Sequence, residues 1–269
     1  MMRGLHTPVR AIRRRVFKEV AQLGFKADED TLLADMEAIP YAIVNEDSEK
    51  YRESVYRARA IVRERLRLAM GLSLRPENKP VHLTAGVEAS NISEKYYEPP
   101  LMQVIPSACE SCEENKYEVS NICKGCLAHP CQEVCPKDAI SMVNGRSYID
   151  QEKCIKCGKC KSVCPYAIAK KERPCQKACG VNAIKSDKMG RAYIDNEKCV
   201  SCGMCMVSCP FGAISDKSQI FQLARALSEG ENVIAEIAPA FVGQFGDNIT
   251  PRNIKAALRE LGFSEVYEV

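Results

Sequence analysis

Five things are missing from this 269-residue sequence, and each absence narrows its function. No run of about 18 apolar residues occurs, so no membrane-spanning helix is expected. The start, Met1-Met2-Arg3-Gly4-Leu5-His6, lacks the apolar stretch of a secretory signal. Arg14-Arg15-Val16-Phe17-Lys18 has the look of a twin-arginine export signal, but Glu19 to Asp30 is charged and reads as a basic first helix. The cytoplasm is therefore the expected compartment. The net charge is only +3, so nothing global points to nucleic acid. There is no G-x-S-x-G, P-loop or G-x-G-x-x-G, and His6 and His82 have no constellation around them, so no catalytic nucleophile is visible. Cysteine is absent before residue 109 and after residue 209.

Between those limits lie all sixteen cysteines. Cys154-Ile-Lys-Cys157-Gly-Lys-Cys160-Lys-Ser-Val-Cys164-Pro165 recurs with the same spacing as Cys199-Val-Ser-Cys202-Gly-Met-Cys205-Met-Val-Ser-Cys209-Pro210. C-x2-C-x2-C-x3-C-P is the run that ligates 4Fe–4S clusters in bacterial-type ferredoxins, its fourth cysteine serving the neighbouring cluster. Disulfides would need an oxidising compartment. Zinc sites usually join two separated C-x2-C pairs. Four cysteines within eleven residues suit a cubane better than either.

The expected fold class is α+β, in four parts: a helical N-terminal region (1–70), a connector (71–108), tandem dicluster ferredoxin modules (109–215) and a partial α/β domain (216–269). Ile12, Val16, Val20 and Leu23 mark a first helix with Gly24 as its stop. Asp30 would cap a second, carrying Leu32, Leu33 and Met36, with Pro40 just beyond it. A third should span about Ser48 to Met70, with Tyr51, Val55, Ala58, Val62, Leu66 and Ala69 as its apolar stripe. Its other faces carry Arg52, Arg57, Arg59, Arg63, Arg65 and Arg67, read as a solvated face partly paired with Glu53 and Glu64. The connector is rich in Pro, Gly and Ser; Pro99, Pro100 and Pro106 disfavour helix there.

The cysteine region is an internal repeat. Cys131, Cys135, Cys154 and Cys164 recur as Cys175, Cys179, Cys199 and Cys209, offset by 44 or 45 residues. Ala139-Ile140, Gly145-Arg146-Ser147-Tyr148-Ile149-Asp150 and Glu152-Lys153 recur too, as Ala183-Ile184, Gly190-Arg191-Ala192-Tyr193-Ile194-Asp195 and Glu197-Lys198. Asn144-Gly145 between Ile140-Met142 and Tyr148-Ile149 is a hairpin signal.

The exchange rule assigns Cys123, Cys126, Cys131 and Cys164 to a first cluster, and Cys135, Cys154, Cys157 and Cys160 to a second. The second unit is two ligands short, because a shift of 44 carries Cys123 and Cys126 onto Ala167 and Lys170. Cys179, Cys199, Cys202 and Cys205 complete a third cluster. Cys109 and Cys112 with the leftover Cys175 and Cys209 would make a fourth, an assignment that rests on counting. Cofactors are thus expected to be four 4Fe–4S clusters, at least three. His129 then has no cluster needing it and reads as structural. Lys124, Lys156, Lys159, Lys161 and Lys198 either orient a partner and raise potentials or simply fill surface positions.

After Cys209 the pattern predicts a helix over 217–228, a strand over 232–238, a Thr250-capped helix opening with Pro251 and ending at Gly262, and a strand over 264–269. One β–loop–α–β unit cannot bury both faces of its strands, so the sequence reads as stopping in mid-domain. "IAPAFVGQFG" and "TPRNIKAALRELGF" behind a dicluster module resemble iron-only (FeFe) hydrogenases at the start of their catalytic H-cluster domain. "RESVYRARAIVRERLRLAMGLSLRP" and "CKGCLAHPCQEVCPKDAI" look like a monomeric clostridial-type branch.

The resemblance implies electron relay between a ferredoxin-like or other redox partner and a hydrogenase catalytic domain. It carries over no catalytic residue, because the family's T-S-C-C-P, M-P-C and C-x-G-G-C motifs have no counterpart after Cys209. Whether these residues alone form an enzyme is therefore left open. Two other readings stand beside it: a free-standing polyferredoxin-type subunit of another oxidoreductase, and a redox sensor using its basic helices. Neither membrane nor nucleic acid is an expected partner.

Overall fold

The computed structural model describes residues 7–26, 29–45, 51–90, 99–246 and 248–269. In chain order, helices α1 (Pro8–Lys26), α2 (Glu29–Ile43), α3 (Val55–Ala69) and the single turn α4 (Val87–Ser90) precede strand β1 (Met102–Val104). Short elements follow: β2 (Lys116–Val119), α5 (Pro130–Glu133), β3 (Ile140–Val143), β4 (Arg146–Ile149), α6 (Lys159–Val163), β5 (Ile168–Lys171), α7 (Pro174–Lys177), β6 (Ile184–Ser186), β7 (Ala192–Ile194) and α8 (Met204–Ser208). The chain continues with β8 (Ile214–Asp216), α9 (Ile220–Ser228), β9 (Ile234–Ile237), α10 (Pro251–Glu260) and β10 (Glu265–Glu268). This is a mixture of helices and small two-stranded sheets, α+β in class.

Two compact units divide these elements: residues 109–210, and the flanking segments on either side taken together. In the flanking unit, Val16, Val20, Met36, Val62, Leu66, Met70 and Phe221 form a continuous apolar core. Four sequence expectations fail here. Gly24 does not stop α1, which runs to Lys26. A Cβ on Gly24 would lie 2.6 Å from the Ala224 Cβ and 2.7 Å from the Phe221 carbonyl oxygen, so this glycine lets α9 approach. Asp30 lies inside α2 rather than capping it. Pro40 also lies inside α2, in its last turn, where its missing N–H costs one bond and the Val44 amide still reaches the Pro40 carbonyl at 3.1 Å.

The fourth correction concerns the arginines of α3. The helix begins at Val55 behind its cap Ser54, and the expected start at Ser48 lies outside the described residues. Ala58, Val62, Leu66 and Ala69 are buried as expected, whereas Val55 is exposed. Arg65 and Arg67 are only 2% and 6% exposed, so they are not a solvated face. Arg67 donates to the carbonyls of Ser73 (2.9 Å), Leu83 (2.7 Å) and Ala85 (2.9 Å). Arg65 donates to the Gly212 carbonyl, Arg57 to Ser107 (2.8 Å), and Arg59 to Val44 (3.0 Å). Irregular loops leave carbonyls without ladder partners, and guanidinium forks supply the donors. Glu53 pairs with Arg57 at 2.6 Å, but Glu64 pairs with Arg75 instead of an α3 arginine.

The connector contributes β1, which pairs antiparallel with β8 (Gln103 opposite Ser215). The tail is β9–α10–β10, with the two strands parallel and Val266 opposite Ala235. Thr250 and Asn253 close a capping box ahead of Pro251, and Gly262 follows α10 at φ +110°. No helix among the described residues is long and apolar enough to cross a membrane.

Candidate functional site

The 109–210 unit is two hairpins, one further strand pair (β2–β5) and four single-turn helices arranged around cysteines. In the first half β3 pairs with β4 through Asn144 (φ +49°) and Gly145 (φ +74°), both left-handed as a two-residue turn requires. The second half pairs β6 with β7 with one residue more between the paired isoleucines, Ile184 opposite Ile194 against Ile140 opposite Ile149, which is where the repeat offset changes from 44 to 45. Asp187 organises that longer loop by accepting from the amides of Met189 (2.9 Å) and Arg191 (2.8 Å).

Each helix of the first half hands cysteines to two places. Cys131 lies on α5 and Cys135 just beyond it; Cys160 lies on α6 and Cys164 just beyond it. Cys123, Cys126, Cys131 and Cys164 line one cavity, with Val119, Pro130, Ala167 and Ile168 as walls. Cys135, Cys154, Cys157 and Cys160 line another, walled by Tyr117, Ile140 and Ile149. The four-residue steps across α5 and α6 thus cross over between the two cavities, which is the exchange expected from spacing. Cysteine sulfur also completes the small core here, beside Tyr117, Ile140, Ile149 and Ile168. His129 lines the first cavity in a left-handed conformation ahead of α5.

In the second half, Cys205 on α8 stands within electrostatic range of Cys199 and Cys179. Cys175 on α7 senses Cys209 and Cys109, and Cys112 senses Cys209 and Cys109. The structure therefore brings Cys109 and Cys112 to the leftover pair. It does so in the geometry of the first half. Ser147 donates its amide to the Cys123 sulfur, and Ala192, its counterpart 45 residues on, donates to the Cys109 sulfur at 3.4 Å. The third residue of the C-x2-C pair that opens each set is left-handed: Ser111 (φ +46°), Gly125 (+57°), Lys156 (+59°) and Ser201 (+54°). Upstream, β1 starts seven residues before Cys109, as β2 starts seven before Cys123. Ala167, where the sequence offset sought a missing cysteine, lies just before β5, and Lys170, where it sought the other, lies within that partner of β2. The C-x2-C pair that meets Cys175 and Cys209 thus precedes the whole first unit in sequence, and that unit is inserted between them.

The donor set fits an iron–sulfur cluster. All sixteen cysteines are free thiols, and Cys131, Cys160, Cys175, Cys205 and Cys209 are buried. Amides of Ala139, Ala167 and Ala183 point at the sulfurs of Cys135, Cys164 and Cys179 at 3.2–3.4 Å, a pattern that suits anionic sulfur. Burial pushes the Cys175 thiol up to about 12 and Cys205 up to about 11, with the neighbouring thiols adding to it. Ligation by sulfur needs the thiolate, so these positions call for a multiply charged cationic group. Cys123 lies below the usual thiol value because the Ser147 and Gly125 amides donate to it. At Cys164 burial pushes upward, and the amides of Ala167, Tyr166 and Ile168 outweigh it. Among the described residues no three His, Cys, Asp or Glu side chains stand close enough to hold a single metal ion. The sulfurs are spread around the cavities instead, as ligands of a bulky group would be. Lys124, Lys156, Lys159, Lys161 and Lys198 are all exposed.

One buried residue escaped the sequence reading. Arg173 is 3% exposed and donates to the Cys112 carbonyl from Nε (3.0 Å) and Nη2 (2.8 Å). Its only sequence signal is Arg173-Pro174-Cys175 in register with His129-Pro130-Cys131.

Comparison with known proteins gives three family matches. Residues 192–215 match the 4Fe-4S binding domain, and residues 123–172 match the LdpA Fe-S cluster-binding domain. Residues 231–269 match the C-terminal domain of the iron only hydrogenase large subunit. An uncharacterized ferredoxin of Methanocaldococcus jannaschii is 33% identical, over 29% of this chain and 63% of its own length. A 7Fe ferredoxin of Hydrogenibacillus schlegelii is 43% identical over 19% of this chain and 65% of its own length. The electron transport protein HydN of Escherichia coli is 43% identical over 18% and 27%. The chain spans less than two thirds of the length of each of these curated relatives. The chain carries multiple 4Fe–4S clusters, with a hydrogenase-related segment at residues 231–269.

Proposed function

We propose that the chain relays single electrons through four 4Fe–4S clusters toward a catalytic domain of the hydrogenase type to which residues 231–269 are similar. The cluster ligands are Cys123, Cys126, Cys131 and Cys164; Cys135, Cys154, Cys157 and Cys160; Cys179, Cys199, Cys202 and Cys205; and Cys109, Cys112, Cys175 and Cys209. The observation that carries this reading is the shared left-handed third residue in the C-x2-C pairs that begin at Cys109, Cys123, Cys154 and Cys199. A bound cluster supplies reversible one-electron transfer. The protein's own part is to present thiolates, aim amides at sulfur and wall each site with apolar side chains. The finer reading is a monomeric clostridial-type FeFe hydrogenase relay, cytoplasmic, with a ferredoxin-like protein as redox partner.

A free-standing ferredoxin-type subunit is the competing reading, favoured by the relatives named as ferredoxins and electron transport protein. The hydrogenase match at 231–269 argues against it. Anaerobic purification followed by iron and acid-labile sulfide analysis tests the cluster count. Sixteen irons per chain are expected, four for each of four clusters, and a Cys109→Ala/Cys112→Ala protein should lose four. Full iron retention in that variant would remove the fourth cluster from the reading.

A further inference from the structure

We infer that Arg173 is the positioning residue that holds the displaced Cys109–Cys112 arm in place and so completes the fourth cluster site, an inference that rests on the four-cluster reading above. In the first unit the C-x2-C loop is covalently close to its third cysteine: four residues separate Cys126 from Cys131. In the outer unit 62 residues separate Cys112 from Cys175, so the chain itself does not position the arm. Something else must. The guanidinium of Arg173 joins the three segments that meet there. Nε and Nη2 donate to the Cys112 carbonyl, and Nη2 also donates to the Gly190 carbonyl at 2.8 Å. Nη1 donates to Ser186 Oγ (2.8 Å) and the Lys185 carbonyl (3.3 Å), and pairs with Glu114 at 3.3 Å.

Arm, hairpin β6–β7 and helix α7 are thereby tied through one side chain whose five N–H donors are all engaged. Glu114 adds a second tie, accepting from Ser186 Oγ. At the matching position of the first unit stands His129, whose ring offers two nitrogens at most. Lysine, a point charge on a flexible stem, cannot reproduce the planar fork either. The burial of so many polar contacts makes the assembly sensitive to truncation, because each carbonyl left behind lacks a partner.

The test uses the full chain, purified anaerobically, as wild type, Arg173→Gln, Arg173→Lys and Cys109→Ala/Cys112→Ala. Iron and sulfide are counted, the dithionite-reduced clusters are resolved by EPR, and iron release to a chelator is timed. Arg173→Gln should lose the same EPR component and the same four irons as the double cysteine variant. Arg173→Lys should keep the component but release its iron about tenfold faster or more, as loss of an outer-sphere partner does, with the other clusters unchanged. The component that persists in Arg173→Lys should keep its midpoint potential, since the charge is retained, and in any Arg173→Gln fraction that retains it the potential should fall. Wild-type iron content and release in Arg173→Gln would overturn the inference while leaving the four-cluster reading intact. Full iron in the double cysteine variant would instead overturn that reading. If Arg173→Gln loses every cluster, Arg173→Lys decides: uniform acceleration across all clusters would also overturn the inference.

Discussion

Gly125→Ala against Lys156→Ala separates two causes that act at the same backbone conformation. Both residues are third in a C-x2-C loop, with φ of +57° and +59°. Holding an alanine in the left-handed region costs about 1–2 kcal/mol, but Lys156 already bears that cost, so Lys156→Ala should change little. Gly125 differs in its neighbour as well. A Cβ added there falls well under 3.0 Å from the Gly145 carbonyl oxygen, a backbone atom of the tight β3–β4 turn. Overpacking against such a rigid group costs about 1–3 kcal/mol more. The total is roughly 2–5 kcal/mol, or about 30-fold and upward in the equilibrium that holds the loop around its site. Iron and sulfide per chain, with the rate of iron release to a chelator, read this directly. Gly125→Ala should lose the iron of one cluster or release it at least about 30-fold faster, while Lys156→Ala behaves as wild type. Equal resistance in both variants, or equal loss in both, would refute the assignment of the cost to the Gly125–Gly145 contact.

Arg67→Met should destabilise the helical unit by about 2–4 kcal/mol, because the buried Leu83 carbonyl and the half-buried contacts to Ser73 and Ala85 lose their donor. Arg63→Ala, which removes an exposed bond to Tyr41, should cost under about 1 kcal/mol. Urea titration followed by far-UV circular dichroism compares them, and equal midpoints would contradict the structural distinction. Gly24→Val should shift the same transition by about 1–3 kcal/mol, since α1 and α9 must move apart. An unchanged midpoint would show that this approach is looser than drawn.

Local signals carried much of the fold. Asn144-Gly145 specified its hairpin because only certain residues tolerate two successive left-handed conformations. Thr250-Pro251 and Gly262 bracketed α10 for the same kind of reason. Cysteine spacing anticipated the crossing of Cys135 and Cys164 between cavities because a four-residue step over one helical turn is fixed geometry. What stayed hidden was long-range. A guanidinium pattern on α3 does not reveal whether it meets water or a carbonyl 147 residues away, as Arg65 does at Gly212. Gly24 looked like a terminator because its partner, Ala224, is distant in sequence. Arg173 carried only its register with His129 across the repeat, and Cys109 and Cys112 entered only by subtraction. Their place became clear through one amide, that of Ala192, repeating what Ser147 does for Cys123.

The insertion of one unit inside the other also bears on how the chain finds its shape. Cys112 and Cys175 are 63 positions apart, and closing that loop from an unfolded chain is entropically expensive. The inner unit contains the remedy, since β2 and β5 pair Lys116 with Lys171. Once that pair forms, four residues on each side and the bridge between them remain, about nine steps in place of 63. On a logarithmic closure law the saving is about 1.7 kcal/mol. Inner unit first, outer unit second is therefore the cheaper order, and the arm that emerges earliest from the N-terminal side waits longest for its partners.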